Sequence, residues 1–260
     1  MARMISVLLQ GGFSERPSIE GTDPETFSIH VQRYEFAKRF GGSRVLDVGC
    51  GIGYGVASYK MADTRVGCDI NLPSLNAARK RFGSNTDFVC ADAQALPFRS
   101  KTFELTLSFE VLEHLANPNA ALCELQRVCK QNGIVVLSTP NKLMVSPIGR
   151  TPFNPYHSHE FTRYGLVNSA SATGLRILSL LGQEWYPIIH PLYTALQQIL
   201  FRTIRVRFFV NVSFLKKVAV ASSNRKIILS DIRESHGHLR IPNTLILVAT
   251  PQKPTLFTST

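Results

Sequence analysis

Between residues 42 and 141, short apolar runs alternate with stretches of helical periodicity. The runs are RVLDVGC (44–50), TRVGCDI (64–70), TDFVCAD (86–92), FELTLSF (103–109) and GIVVLSTP (133–140), each bounded by Gly, Asp, Asn or Pro. Between them lie YGVASYKMA, LPSLNAARKRF and PNAALCELQRVCK. In the last, Ala121, Leu122, Leu125 and Val128 recur at helical spacing behind Pro118, a residue suited to a first helical turn. Continuous apolar strands alternating with helices predict an α/β fold whose parallel sheet is covered on both faces, the doubly wound class. Upstream, DPETFSIHVQRYEFAKRF (23–40) opens with Asp23-Pro24 and places Phe27, Val31, Tyr34 and Ala37 or Lys38 on one helical repeat, a helix that packs before the first strand. Downstream, TRYGLVNSASATG reads as a helix stopped by glycine, LRILSLLGQEW as a strand and NTLILVATP (243–251) as the last strand. The predicted division is an N-terminal helical segment (1–41), a core (42–185), an insertion (186–242), and a final strand with a frayed tail (243–260).

The first strand runs into VLDVGCGIGYG (45–55), with glycines at 49, 51, 53 and 55. Glycine allows backbone angles and close approaches that a Cβ blocks, so a ligand can lie against bare backbone at the end of a parallel strand. The spacing excludes two common ligands. A dinucleotide fingerprint needs G-x-G-x-x-G, but here the third glycine falls one residue early, and the Gly-Lys-Ser/Thr of a P-loop is absent. Acids end three strands instead. Asp47 stands two residues before Gly49, Asp69 follows Gly49 by 20 residues, and Asp92 ends the third strand. Asp69 is placed to accept both hydroxyls of a ribose, and Asp92 to accept from an adenine amino group. With no cation in the turn to hold a pyrophosphate, the pattern favours a cationic nucleoside over an anionic dinucleotide.

Taken together, VLDVGCGIGYG, GCDI, ADAQALPF, FEVLEHLANP and GIVVLSTPN resemble, in order, the motifs of class I S-adenosylmethionine-dependent methyltransferases, in particular the small-molecule branch that includes the ubiquinone-biosynthesis enzymes (methyltransferase type 11). The resemblance covers about residues 28 to 180 and the final strand. It implies a Rossmann-like, mostly parallel seven-stranded sheet with one antiparallel strand, helices on both faces, and S-adenosyl-L-methionine as cofactor. It further implies that Gly49, Gly51 and Gly53 form the turn beside the methionine part, with Asp47 fixing its amino group directly or through water. Asp69 with Ile70 would bind the ribose side, Asp92 and Ala93 the adenine, and Phe109 would lie near the sulfonium.

Methyl transfer asks a protein for in-line approach, exclusion of water and removal of the nucleophile's proton. Candidate bases lie beyond the ends of the fourth and fifth strands: Glu110 and His114 in SFEVLEHL, and His157 in NPYHSHEFTRYGL. His157, His159 and Tyr156 are the candidate acceptor contacts. The segment is similar to an N-P-x-H-x-x-E-F-T stretch of methyltransferases associated with glycan and natural-product pathways. The competing reading makes His114 a helix cap and the loop histidines structural. No Asp-rich cluster suggests a metal.

Charge adds one feature. The chain carries a formal net charge of +11, and residues 186–242 hold nine Lys and Arg against Asp231 and Glu234. Arg202, Arg205, Arg207, Lys216 and Lys217 fall among apolar residues there. That mixture fits either a lid packed on its own domain or a peripheral contact with an anionic membrane. Nothing resembles a membrane span or a signal-peptide core. The five cysteines form no C-x-x-C pair and read as reduced, buried thiols of a cytoplasmic enzyme. The predicted activity is O-methylation of a small-molecule, glycan or lipid-linked acceptor. The alternatives are an RNA methyltransferase, motivated by charge but lacking an RNA-binding module, and a non-catalytic cofactor-binding partner subunit. No specific nucleic acid is expected, and the oligomeric state is left open.

Overall fold

The computed structural model describes residues 24–149, 151–187, 191–192, 194–195, 230–231 and 240–252. The strands β1 (Arg44–Val48), β2 (Thr64–Asp69), β3 (Asp87–Cys90), β4 (Phe103–Phe109), β5 (Cys129–Pro140), β6 (Leu175–Pro187), β7 (Ser230–Asp231) and β8 (Arg240–Pro251) form one sheet. Their order is β3-β2-β1-β4-β5-β8-β6-β7. Strands β1 to β5 pair in parallel, while β8 runs antiparallel between β5 and β6. Seven strands thus make the predicted mostly parallel sheet, and the two-residue β7 adds an antiparallel edge.

The helices are α1 (Pro24–Ala37), α2 (Tyr54–Ala57), α3 (Leu72–Phe82), α4 (Pro118–Val128), α5 (Lys142–Val145) and α6 (Arg163–Ala172). Side-chain caps start several of them. Asn71 accepts from the Ser74 amide, Asn117 from Ala120 and Thr162 from Gly165, each satisfying a helix-end donor and worth about 1 kcal/mol.

Successive strand residues feed opposite faces, as a period of two requires. Leu46, Val135, Leu137 and Leu247 join one core with Leu122 and Leu125 of α4 and Leu166 of α6. Val45, Val136, Ile246 and Val248 join the other with Tyr34 and Ala37 of α1. Both faces are therefore covered, and a fully buried leucine contributes about 1.5–3 kcal/mol.

The structure corrects three boundaries. The helix expected through Ala62 ends at Ala57, because the Ser58 hydroxyl bonds back to the Gly55 carbonyl at 2.7 Å and Tyr59 turns inward to the Tyr34 carbonyl at 3.1 Å. Helix α4 ends at Val128, where Cys129 pairs with Phe103 in the sheet. Two residues at the start of the expected 186–242 insertion and three at its end belong to strands, with Pro187 opposite Arg240. The cations at 202, 205, 207, 216 and 217 lie outside the described residues, so the lid and membrane readings do too. Cys50, Cys68 and Cys129 are buried as expected, but Cys90, at the end of edge strand β3, and Cys123, on α4, are exposed, against the reading of all five as buried. Among the described residues, no helix is long and apolar enough to cross a membrane.

Candidate functional site

Beyond the carboxyl ends of β1 to β4 lies a cleft of about 570 Å³, where open α/β sheets place their ligands. Its floor is the glycine turn. Gly51 has φ +54°, and a Cβ there would meet no atom within 4 Å, so its missing side chain leaves bare backbone facing the cleft. Gly53 differs. With φ +79°, a Cβ would stand 2.6 Å from the Phe88 ring, so this glycine serves packing.

Asp69 ties the turn to β2. Its Oδ2 accepts the Gly51 amide at 2.9 Å and its Oδ1 the Asn71 amide at 2.8 Å. A carboxylate accepts hydrogen bonds at both oxygens, a chemistry that suits a hydroxyl-bearing ligand. Asp92 similarly accepts the Gln94 amide at 2.8 Å and the Gln94 side chain at 3.1 Å. Of the residues singled out from sequence, Gly49, Gly51, Asp69, Ile70, Asp92, Ala93, Phe109, Glu110, His114 and Tyr156 line the cleft.

Asp47, Gly53, His157 and His159 are not among its lining residues. Asp47 lies behind the turn, fully buried. Its Oδ2 accepts the Tyr34 hydroxyl at 3.1 Å, and its Oδ1 has no hydrogen-bond partner. Burial raises its pKa to about 7; the Tyr34 hydrogen bond opposes that rise, and the charge of Asp69 adds to it.

Helix α1 supplies a wall that the sequence reading treated only as packing. His30 and Tyr34 line the cleft, one helical turn apart on the same face. Burial, reinforced by Arg33 and opposed by Glu110, lowers the His30 pKa to about 4, so its imidazole is neutral at physiological pH. Arg33, 3% exposed, donates to Gln183 Oε1 at 2.6 Å and Thr244 Oγ1 at 3.3 Å, and its Nη1 pairs with Glu110 Oε1 at 3.2 Å. Ser138 grips Glu110 twice: its hydroxyl donates to Oε1 at 2.7 Å and its carbonyl takes the Glu110 amide at 3.1 Å. Glu110 has φ +55°, a region costly for a side-chain-bearing residue. Paired and clamped, Glu110 is suited to fixing the end of β4 rather than to carrying protons. The helical repeat already puts Tyr34 inward, and His30 four residues earlier shares its face; a buried Arg33 has no such signal.

The far side of the cleft comes from the 3₁₀ turn Leu112–His114 and the loop after α5, with His114 and Tyr156 in its lining. His114 Nδ1 lies 3.1 Å from the Tyr156 carbonyl, so it carries the hydrogen and Nε2 is the basic nitrogen. Glu113 is buried, with Oε2 accepting the Thr139 hydroxyl at 3.0 Å. Burial, reinforced by the charge of Glu110, pushes its carboxyl well above the usual range. The Glu113 carbonyl accepts the amides of Ser158 at 2.8 Å and His159 at 3.0 Å. Glu113, His114 and His157 bring donor atoms within 4.8 Å of one another. Yet His157 already uses Nδ1 on Glu160 Oε1 at 3.2 Å and Nε2 on Asn154 Nδ2 at 3.1 Å. To bind a metal it would have to give one of these up. His159 is exposed and packs its ring on Phe161.

A bare glycine turn, acids in β1 and β2 and an acid just beyond β3 make an acceptor set for a ligand with hydroxyl and ammonium groups. Comparison with known proteins points to methyltransferases. Residues 46–137 match the methyltransferase domain family. A Mycolicibacterium smegmatis protein named a probable S-adenosylmethionine-dependent methyltransferase is 31% identical over 158 residues, 60% of this chain and 61% of its own length. The mitochondrial ubiquinone biosynthesis O-methyltransferase of Arabidopsis thaliana is 33% identical over 114 residues, 42% of this chain and 35% of its own. The crystal structure of an S-adenosylmethionine-dependent methyltransferase from Mesorhizobium loti superposes with a TM-score of 0.54 at 16% identity, covering 83% of this chain and 96% of that one; it attests the fold. The chain spans about three-fifths of the length of the first curated relatives it matches. Residues 46–137 are a class I methyltransferase domain, and the cofactor of that family is S-adenosyl-L-methionine.

Proposed function

We propose that this protein transfers the methyl group of S-adenosyl-L-methionine to an oxygen of a small-molecule, glycan or lipid-linked acceptor, with His114 taking the proton. The observation that carries this reading is the continuity of one cleft from Asp69 and Asp92 to His114 and Tyr156. Asp69 would hold the ribose hydroxyls, Asp92 and Ala93 the adenine, and the Gly51 backbone the methionine part, with Asp47 behind it as the anion for the ammonium. Bound there, the cofactor supplies an electrophilic methyl on a sulfonium.

The chain's own residues do the rest. Phe109, Tyr34 and Tyr54 line the cleft as aromatic surface and exclude water from the transfer point. Glu110, held by Ser138 and Arg33, fixes the end of β4, so the acceptor meets a rigid edge. His114 presents Nε2 as general base, which contributes about 10²–10⁴ in rate. The O-methyltransferase name of the Arabidopsis relative supports oxygen as the acceptor atom.

Incubation with methyl-labelled cofactor and separate lipid, glycan and RNA fractions tests the reading. Label in an ether or ester of the lipid or glycan fraction supports it. Label confined to RNA, or cofactor binding with no transfer, overturns it.

A further inference from the structure

His157 was singled out as a base, but it sits behind His114, not in the cleft. A line of hydrogen bonds connects the two. Glu160 Oε1 takes Nδ1–H of His157 at 3.2 Å. That leaves His157 Nε2 as an acceptor, and Asn154 Nδ2 donates to it at 3.1 Å. The other end of the same amide, Asn154 Oδ1, accepts the Tyr156 amide at 3.0 Å. The Tyr156 carbonyl then takes Nδ1–H of His114 at 3.1 Å. The far end is anchored too: Ser146 Oγ donates to Glu160 Oε1 at 2.8 Å and accepts the Phe153 amide at 2.8 Å. The Glu160 and His157 side chains are 0% and 7% exposed.

Every link runs in one sense. A carboxylate at Glu160 demands a proton on His157 Nδ1, which makes Nε2 an acceptor, which orients the Asn154 amide. If the His157 tautomer reversed, Nε2–H would face the Asn154 NH₂ group. Relieving that clash by turning the amide would set NH₂ against the Tyr156 amide and open the turn that offers its carbonyl to His114.

We propose that Glu160, His157 and Asn154 are positioning residues that fix His114 as the Nδ1–H tautomer, with Nε2 as its basic nitrogen. The proposal rests on the reading of His114 as proton acceptor, but its test needs no acceptor molecule. In the full-length protein labelled with ¹⁵N, two-bond ¹H–¹⁵N correlations report which imidazole nitrogen bears hydrogen, and His114→Gln assigns the signal. Wild type is expected to show protonated Nδ1 and unprotonated Nε2 on neutral His114. Asn154→Ala, which removes a residue two links away, is expected to move at least a third of His114 to the Nε2–H form with cofactor affinity within twofold. Glu160→Gln keeps a carbonyl acceptor for His157 and is expected to retain the wild-type pattern, whereas Glu160→Ala, which removes that acceptor, is expected to shift it as Asn154→Ala does. An unchanged His114 tautomer in folded Asn154→Ala overturns the proposal, as does wild-type His114 carrying its hydrogen on Nε2. Failure of methyl transfer with the tautomers as described would overturn the assigned activity and leave this arrangement standing.

Discussion

On the cofactor wall, the Asp69 carboxylate reaches Gly51, 18 residues away, and Asn71, two residues away, while Asp92 bonds Gln94, also two residues on. On the facing wall, Arg33 bonds partners 150 and 211 residues distant, and His114 meets a carbonyl 42 residues on. One wall is local backbone geometry held by short-range caps. The other is a side-chain assembly that exists only once remote strands have paired. The first can be disabled at a single carboxylate without touching the second, and this gives the comparison its tests.

The largest effect is expected at Asp69. Asp69→Ala removes a charged acceptor of two backbone amides and, in the proposed function, of the ribose hydroxyls. At about 1.5–3 kcal/mol per charged hydrogen bond, two ribose bonds amount to a loss of about 10²–10⁴ in cofactor affinity, read by calorimetry. Unchanged binding in a folded variant would remove Asp69 from the cofactor wall. On the other wall, His114→Gln should lower turnover by about 10²–10⁴ while cofactor affinity stays within a few-fold. A matching fall in affinity would show that the two walls are not separable.

A smaller effect divides the cofactor wall itself. Asp47 titrates near 7 in the ligand-free fold, and a cofactor ammonium needs the carboxylate. Affinity should therefore fall about tenfold from pH 8 to pH 6, with proton release on binding seen by calorimetry in buffers of different ionisation enthalpy. Asp47→Asn should abolish that release. The stability of the ligand-free protein moves the opposite way. Between the ordinary value of 3.8 and about 7, the fold holds a proton that the unfolded chain has lost, so this group's contribution is full below that window and is lost as pH rises through it. The smallest effect is expected at His159, exposed and outside the cleft: His159→Ala should leave affinity and turnover within about twofold, consistent with a surface change.

The same contrast explains what could be read from the sequence. The strands and their acids were legible because their determinants are local: apolar runs, a glycine turn, and an acid at or near each strand end, although Asp92 lies two residues past β3 rather than ending it. Helix α3 was legible to the residue because Asn71, Pro73 and Gly83 mark both its ends. Glu110 illustrates the reverse. Its place beside His114 suggested a base, but its role depends on Arg33 of α1 and Ser138 of β5, and no local pattern announces either. His157 likewise reads as a free loop histidine until Glu160 and Asn154 are seen to occupy both its nitrogens. A short α2 in place of a longer helix follows from Tyr59 bonding across to α1, again a partner that periodicity does not reveal.

The pairing of Pro187 with Arg240 has a consequence for how such a protein can diversify. Strand β6 runs parallel in direction to β5, so β6 ends, and β8 begins, at the same edge of the sheet as the cleft. The sheet thus holds residues 187 and 240 side by side, and the described part of the stretch between them includes β7 on the edge of β6. Closing a longer loop between fixed ends costs only about 0.6 kcal/mol per doubling of its length. By that measure the length of the connection between β6 and β8 weighs little on folding stability, so long as the edge pairing of β7 is kept. The sheet and its cofactor turn form a constant part, and this junction is where a variable part can be spliced.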